Sequence, residues 1–286
     1  MPVGQLWVIA AFISLIGCTV TVPNASEAEP FSPLKQLQQL LPADAILLGE
    51  QHDAPDHQRL HRVVVEILAS RQQLAALALE MASQGQSTDK LGPDASEQAV
   101  QAALQWNNAG WSWAAYGPII MAAVRARVPV LGANLPPAGL RAAMANPDLE
   151  KLLSGPALTT QQQRIREGHC DLLPENQILP MTRVQIARDI SMAQTLVTAA
   201  QAGKTVVLLA GASHVDRSLG VPLHLPPDFK AKVVLMQTDQ AQDATNNVAT
   251  ADQVWPARPA PETDYCAKLK AQRATPAVPP TPAKSL

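Results

Sequence analysis

Two tetrapeptides of the form Gly-x-x-His hold the residues best suited to chemistry, Gly49-Glu50-Gln51-His52 and Gly211-Ala212-Ser213-His214. Each closes an apolar run, "AILLG" in the first case and "TVVLLAG" in the second. A third run, "LAALALEM", carries Glu80 near its end. Neutral imidazoles with a carboxylate or two are the usual donor set for a divalent transition metal, which Glu50, His52, Glu80 and His214 could form. The same four could act as acid and base in a hydrolase, or a histidine could place one axial nitrogen on a haem iron. One such motif is weak, because a histidine after a strand often does no more than hydrogen-bond a loop. Two copies at matching positions strengthen the case for a functional role. Glu80 follows a run of apolar or small residues, and a carboxylate there needs a partner or solvent.

Other groups are less specific. His57 and His61 are four apart on a predicted helix and share a face. Without the glutamate of H-E-x-x-H that spacing is a poor metal signature, and the neighbouring Gln58, Arg59 and Arg62 imply a solvated face for His61. The segment "WNNAGWSWAAYGPI" holds three of the five tryptophans and one of the two tyrosines. Such density serves core packing or a flat-ligand platform. Trp113 and Tyr116 are the residues expected to face a ligand, since tyrosinate is an axial ligand for haem iron. The chain has no G-x-G-x-x-G, P-loop, C-x-x-C or G-x-S-x-G. Dinucleotide, nucleotide, thioredoxin-type and serine-hydrolase readings lose their support.

The elements that must position these residues alternate. Short apolar runs at 45–49, 74–81, 128–134, 205–211 and 231–237 read as buried strands. Helical patterns lie between them, at 56–70 after Pro55, at 116–127, and at 181–202 with Thr182 as a cap and Gly203 as a stop. This order predicts an α/β fold, a mostly parallel sheet flanked by helices, with a smaller helical part. In such sheets ligands bind at the carboxyl ends of strands, so the polar stops at Glu50, Glu80, Asn134 and His214 should converge on one edge.

The chain has 286 residues, 47% of them hydrophobic and 16% charged, with a formal net charge of −2. It has no Lys/Arg run, which excludes nucleic acid as a main partner. Residues 1–18, "MPVGQLWVIAAFISLIGC", have an apolar core too short to span a bilayer and suited to a signal peptide. They end in Leu15-Ile16-Gly17-Cys18, a pattern similar to the lipobox that marks a cysteine for lipidation. Thr19 lacks the acidic character of an inner-membrane retention signal, which points to the outer membrane. Residues 19–30 read as a tether, 31–270 as the folded domain, and 271–286 as a disordered proline-rich tail. With Cys18 lipidated, Cys170 and Cys266 remain; in an oxidising periplasm such a pair is expected to bridge, two separate buried thiols being the alternative. A bridge closing so long a loop contributes about 4–5 kcal/mol on the chain-entropy account.

Several stretches in order carry a family resemblance: "LLGEQHDAPDHQRLH", "LALEM", "WSWAAYGPII", "PVLGANLP", "HCDLLP", "MTRVQIARDISMAQ", "VVLLAGASHVDRSLGVP" and "DQVWPARPAPETDYC". Together they resemble the ChaN family of iron-regulated bacterial lipoproteins, within the haem-binding-uptake/Tiki superfamily. The resemblance spans about Pro42 to Cys266. It implies a lipid-anchored envelope protein that binds haem at a homodimer interface and takes part in haem or iron uptake. Relatives such as Tiki proteases and erythromycin-esterase-like proteins imply the rival, a metal-dependent hydrolase using Glu50, His52, Glu80 and His214. Ser213 stands where ChaN-like sequences often have glycine. Of the two tyrosines, the resemblance leaves Tyr116 as the candidate haem ligand, with His52, His214 and Trp113 around it.

Overall fold

A computed structural model describes Met1 and residues 31–238, 250–260 and 263–274. The expected signal peptide, Cys18 and the tether lie outside the described residues, apart from Met1, and so does the tail beyond Ala274. Six strands form one wholly parallel sheet in the order β3-β2-β4-β1-β5-β6. They are β1 (Ala45–Glu50), β2 (Leu74–Ser83), β3 (Val130–Asn134), β4 (Thr205–Gly211), β5 (Ala231–Thr238) and β6 (Gln253–Ala257). Every residue of β1 and β4 is buried, as continuous apolar strands covered on both faces must be. The α/β expectation holds.

Side-chain alternation divides the core in two. Ile46 and Leu48 of β1, Leu77 and Leu79 of β2, and Val207 and Leu209 of β4 face one side. There they meet helices α2 (Pro55–Ser70) and α4 (Trp113–Arg125) through Leu60, Val64, Leu68, Ile119 and Val124. Ala45, Leu47, Ala76, Ala78, Leu208 and Ala210 face the other, against Met192, Ala193 and Leu196 of the long helix α7 (Ile178–Ala199). Alanines on that face let α7 lie close to the sheet.

The remaining described helices are α1 (Pro33–Leu40), α3 (Glu97–Ala103), α5 (Pro137–Ala145), α6 (Gly155–Gly168) and α8 (Tyr265–Ala274). Helices α5 and α6, with single 3-10 turns, fill the gap between β3 and β4 and form the smaller helical part. Among the described residues no helix is long and apolar enough to cross a membrane.

Three expectations need correction. Thr182 does not cap α7: the helix begins at Ile178, and the Thr182 hydroxyl donates to the Ile178 carbonyl inside it. Strand β6 was not foreseen, because Pro256 interrupts its pattern; as the outer strand, β6 tolerates a residue without an N–H. Helix α8 runs to Ala274, into the segment read as tail.

Close packing of β2 on β3 depends on a missing side chain. A Cβ at Gly132 would lie 2.0 Å from the Ser83 carbonyl oxygen, a backbone atom that cannot move aside alone. Gly132→Ala is therefore expected to lower the unfolding free energy by about 3 kcal/mol, the upper part of the range for overpacking. Denaturant titration checks this, and an unchanged midpoint would contradict it.

Candidate functional site

Strand order answers whether the two Gly-x-x-His motifs meet. β1 and β4 are neighbours, and Glu50 pairs in register with Gly211. β2 lies on the other side of β4, and Glu80 follows Leu79, the last β2 residue paired with β4.

Parity then sends the two glutamates to opposite faces. Glu50 continues the Ile46–Leu48 side, towards α2 and α4. Its Oε1 accepts from His52 Nδ1 at 2.8 Å and from the Tyr116 hydroxyl in a short hydrogen bond. His61 Nδ1 lies 3.2 Å from Oε2, near enough for an ion pair but out of line for a hydrogen bond, so neither atom has a hydrogen-bond partner. Burial pushes the His61 imidazole down to about 4, against the pull of Glu50, and keeps it neutral. Burial and then the Glu50 charge hold the Tyr116 phenol well above its ordinary value.

Glu80 faces α7. Its Oε2 accepts the Gly211 N–H at 2.7 Å, and its Oε1 stands 3.4 Å from His214 Nε2. The opposite ring nitrogen, Nδ1, is 2.6 Å from Asp189 Oδ1, and the Gln185 amide lies 3.2 Å from each nitrogen. Burial alone would lower the His214 pKa. The carboxylates of Glu80 and Asp189 overcome it and push the group up to about 10, so His214 is an imidazolium at neutral pH. Burial raises Asp189 to about 6, an effect that His214 partly offsets.

His52 spans the two carboxylates over the end of the sheet. Nδ1 is bound to Glu50, and Nε2 lies 3.8 Å from Glu80 Oε2. The ring rests against Gly211, where a Cβ would come within 3.0 Å of Nε2. Burial would lower its pKa, but the Glu50 hydrogen bond and the Glu80 charge raise it. The turn beneath is fixed by α2: His57 Nδ1 accepts the Gln51 N–H at 3.0 Å, and the Gln58 amide donates to the His52 carbonyl at 2.9 Å.

A cavity of about 1010 Å³ opens beside His52, walled also by Trp111, Tyr116, Gly211, Arg59 and Tyr265. This is at the top of the usual range of roughly 300–1,000 Å³ for ligand pockets. Trp111 meets His52 edge-on, with ring centroids 4.8 Å apart.

The structure thus sorts the expected site residues. Glu50, His52 and Tyr116 come together at the cavity; Glu80 and His214 lie behind it. Trp113 does not face it, since its Nε1 donates to Glu97 at 2.7 Å and its ring packs on Trp106. Trp111, two residues earlier, takes that place; the helix begins at Trp113, which leaves Trp111 on the preceding loop. His61, expected on a solvated face, is fully buried. It falls in line with His57, Val64 and Leu68 on the inner face of α2, a stripe that the flanking arginines obscured. Asp189 and Tyr265 were missed. A sequence signal existed for Asp189, a charge within the apolar face formed by Ile186, Ala193 and Leu196. Cys170 and Cys266 are joined by a disulfide.

The four residues of the expected metal set form a chain of contacts, Glu50 to His52 to Glu80 to His214. Among the described residues no group of three or more His, Cys, Asp or Glu is arranged to hold a metal ion. Glu50 and Glu80 diverge to opposite faces, and both ring nitrogens of His214 already have partners.

Comparison with known proteins agrees with the fold and supplies the family. The family model for haem-binding uptake, Tiki superfamily, ChaN matches residues 36–225, well over half of the chain. The chain belongs to this ChaN family. No curated protein sequence matches it. Among solved structures, cofacial haem binding to ChaN of Campylobacter jejuni superposes with a TM-score of 0.60 at 24% identity, over 74% of this chain and 88% of that one. That likeness is one of fold. The type III effector HopBA1 superposes with a TM-score of 0.44 at 14% identity, covering 79% of this chain and 93% of its own. Erythromycin esterase EreC in its open conformation gives a TM-score of 0.44 at 13% identity, over 72% of each chain.

A raised folded pKa at His214 means the folded state binds a proton that the unfolded state releases earlier. Its contribution is complete below the unfolded value of about 6.5 and is lost as pH rises through the folded value of about 10. Stability should therefore decline between those limits, and His214→Gln should remove that part of the decline. An NMR titration should show the His214 ring protonated through neutral pH in the wild type and titrating lower in Glu80→Gln. A wild-type midpoint near 6.5 would contradict this electrostatic account.

Proposed function

We propose that this ChaN-family protein binds haem in the cavity beside His52 and serves haem or iron uptake or storage. It does so anchored by lipid at Cys18 in the bacterial cell envelope, on the outer membrane facing the periplasm, and works as a homodimer. The anchor and location rest on the apolar stretch and lipobox-like end of residues 1–18, and the dimer on the family resemblance. Membership of a haem-binding family supports the ligand.

One observation carries the binding site. Of the four expected haem-contacting residues, His52 alone lines the cavity with a ring nitrogen that makes no hydrogen bond, its Nε2 standing 3.8 Å from Glu80. Its Nδ1 donates to Glu50, the arrangement by which a carboxylate fixes the tautomer and orientation of a metal-binding imidazole. Nε2 makes no hydrogen bond; it rests against Gly211, whose missing side chain makes room for the ring, with Glu80 Oε2 at 3.8 Å. Tyr116 lines the cavity, but its hydroxyl is committed to Glu50 and its pKa is raised, so it supports the site rather than offering a tyrosinate. His214 has no ring nitrogen to spare. Trp111 gives the planar apolar wall that a macrocycle needs; Arg59 and Arg62 stand at the margin, each in an ion pair, with Asp56 and Glu66. Bound haem would supply a redox-active iron and a large flat apolar surface; the chain's part would be to hold the His52 imidazole in place and cover that surface.

The rival reading, a divalent-metal hydrolase, needs Glu50, His52, Glu80 and His214 in one coordination sphere, and their placement on opposite sheet faces gives it no support.

Haemin titrated into the purified protein should give a shifted Soret band. His52→Ala should weaken binding at least about tenfold, about 1.4 kcal/mol, and alter the band. No Soret shift, or a His52→Ala spectrum and affinity equal to wild type, would overturn the reading.

A further inference from the structure

Helix α8 lies beyond the family match, which ends at residue 225. Its first residue, Tyr265, is part of the cavity wall, and the Tyr265 hydroxyl is in a short hydrogen bond with the Asp53 carboxylate, on the turn that carries His52. The next residue, Cys266, is joined to Cys170, 96 positions earlier in the segment between α6 and α7. None of the helix's described side chains is buried, and the Tyr265 residue itself keeps 50% of its surface exposed. A helix of 10 residues is short of the roughly 12–15 needed for even marginal stability in isolation. The covalent bond therefore fixes the start of α8, and with it Tyr265, against the segment between α6 and α7.

We infer that the Cys170–Cys266 disulfide is a positioning device for the ligand cavity: it holds Tyr265 in the cavity wall, where the ring contacts the bound planar ligand. Asp53 sets the ring's direction. The bridge links the helical part before α7, which holds Cys170, to the cavity mouth, so its loss removes one wall of the pocket without touching His52 or Glu50. The inference rests on the haem reading for its ligand, but not for the placement of α8.

The test uses the whole protein and haemin as probe. Tyr265→Ala should weaken haemin binding about five- to tenfold. Tyr265→Phe, which keeps the ring and loses the bond to Asp53, should weaken binding less than Tyr265→Ala does. The double variant Cys170→Ser/Cys266→Ser should weaken binding as Tyr265→Ala does, and adding Tyr265→Ala to it should cause no further loss, because a displaced ring has nothing left to contribute. Hydrogen exchange of residues 265–274 without ligand is the second readout, with protection in the wild type and fast exchange without the bridge. Wild-type affinity in Tyr265→Ala would overturn the wall contact. Wild-type affinity, or retained α8 protection, in the bridge variant would overturn the positioning role. Should the bridge variant fail to fold, the tyrosine variants still decide the wall contact, and α8 exchanging freely in the wild type would overturn the inference. If the wild type itself binds no haemin, the haem reading falls, and the exchange measurement alone judges the bridge.

Discussion

A carboxylate at the end of a buried strand is the constraint on which this architecture depends. Glu50 terminates β1, the strand flanked by β4 and β5 in the middle of the sheet, and it is almost fully buried. A charge in that position is costly unless donors surround it. Tyr116 from α4 and His52 from the turn hydrogen-bond it, and His61 from α2 stands close by, so both helices on that face are tied to the strand end. The cavity exists because these helices and the turn are held around one carboxylate while Trp111, on the loop before α4, stands across from His52.

The opposite face repeats the device with different content. Glu80 and Asp189 enclose His214 as an imidazolium, and Glu80 also grips the Gly211 N–H. This group is an electrostatic brace for the end of β4, the strand against which His52 rests. The Gly-x-x-His motifs are therefore alike in sequence and unlike in role. The first presents an imidazole to the cavity, and the second buries one between carboxylates. Gly211 joins the two, since its N–H serves Glu80 on one face while its missing side chain admits the His52 ring on the other.

Much of this was legible in the residues. The apolar runs located the first five strands, and their polar ends did meet at one sheet edge. Sequence order could not show that β4 inserts between β2 and β1, because that follows from the packing of α7 and the helical part rather than from any local pattern. Nor did it show the register, in which Leu79 is level with Leu48 across β4, so that Glu80 and Glu50 fall on opposite parities and point apart. His61 was misplaced because the arginines beside it outweighed its position on the Val64–Leu68 stripe. Trp111 and Trp113 could not be told apart until the start of α4 was known. Asp189 and Tyr265 act through contacts with residues far away in the chain, which periodicity does not record.

The central claim is that Glu50 fixes His52 with Nδ1 protonated and Nε2 bare. Long-range 1H–15N correlation spectra of the histidine side chains, recorded above the raised His52 pKa, test it directly. The account predicts the Nδ1–H tautomer for His52 in the wild type and a change in the His52 nitrogen shifts in Glu50→Gln. A wild-type His52 in the Nε2–H tautomer, with spectra unchanged by Glu50→Gln, would contradict it.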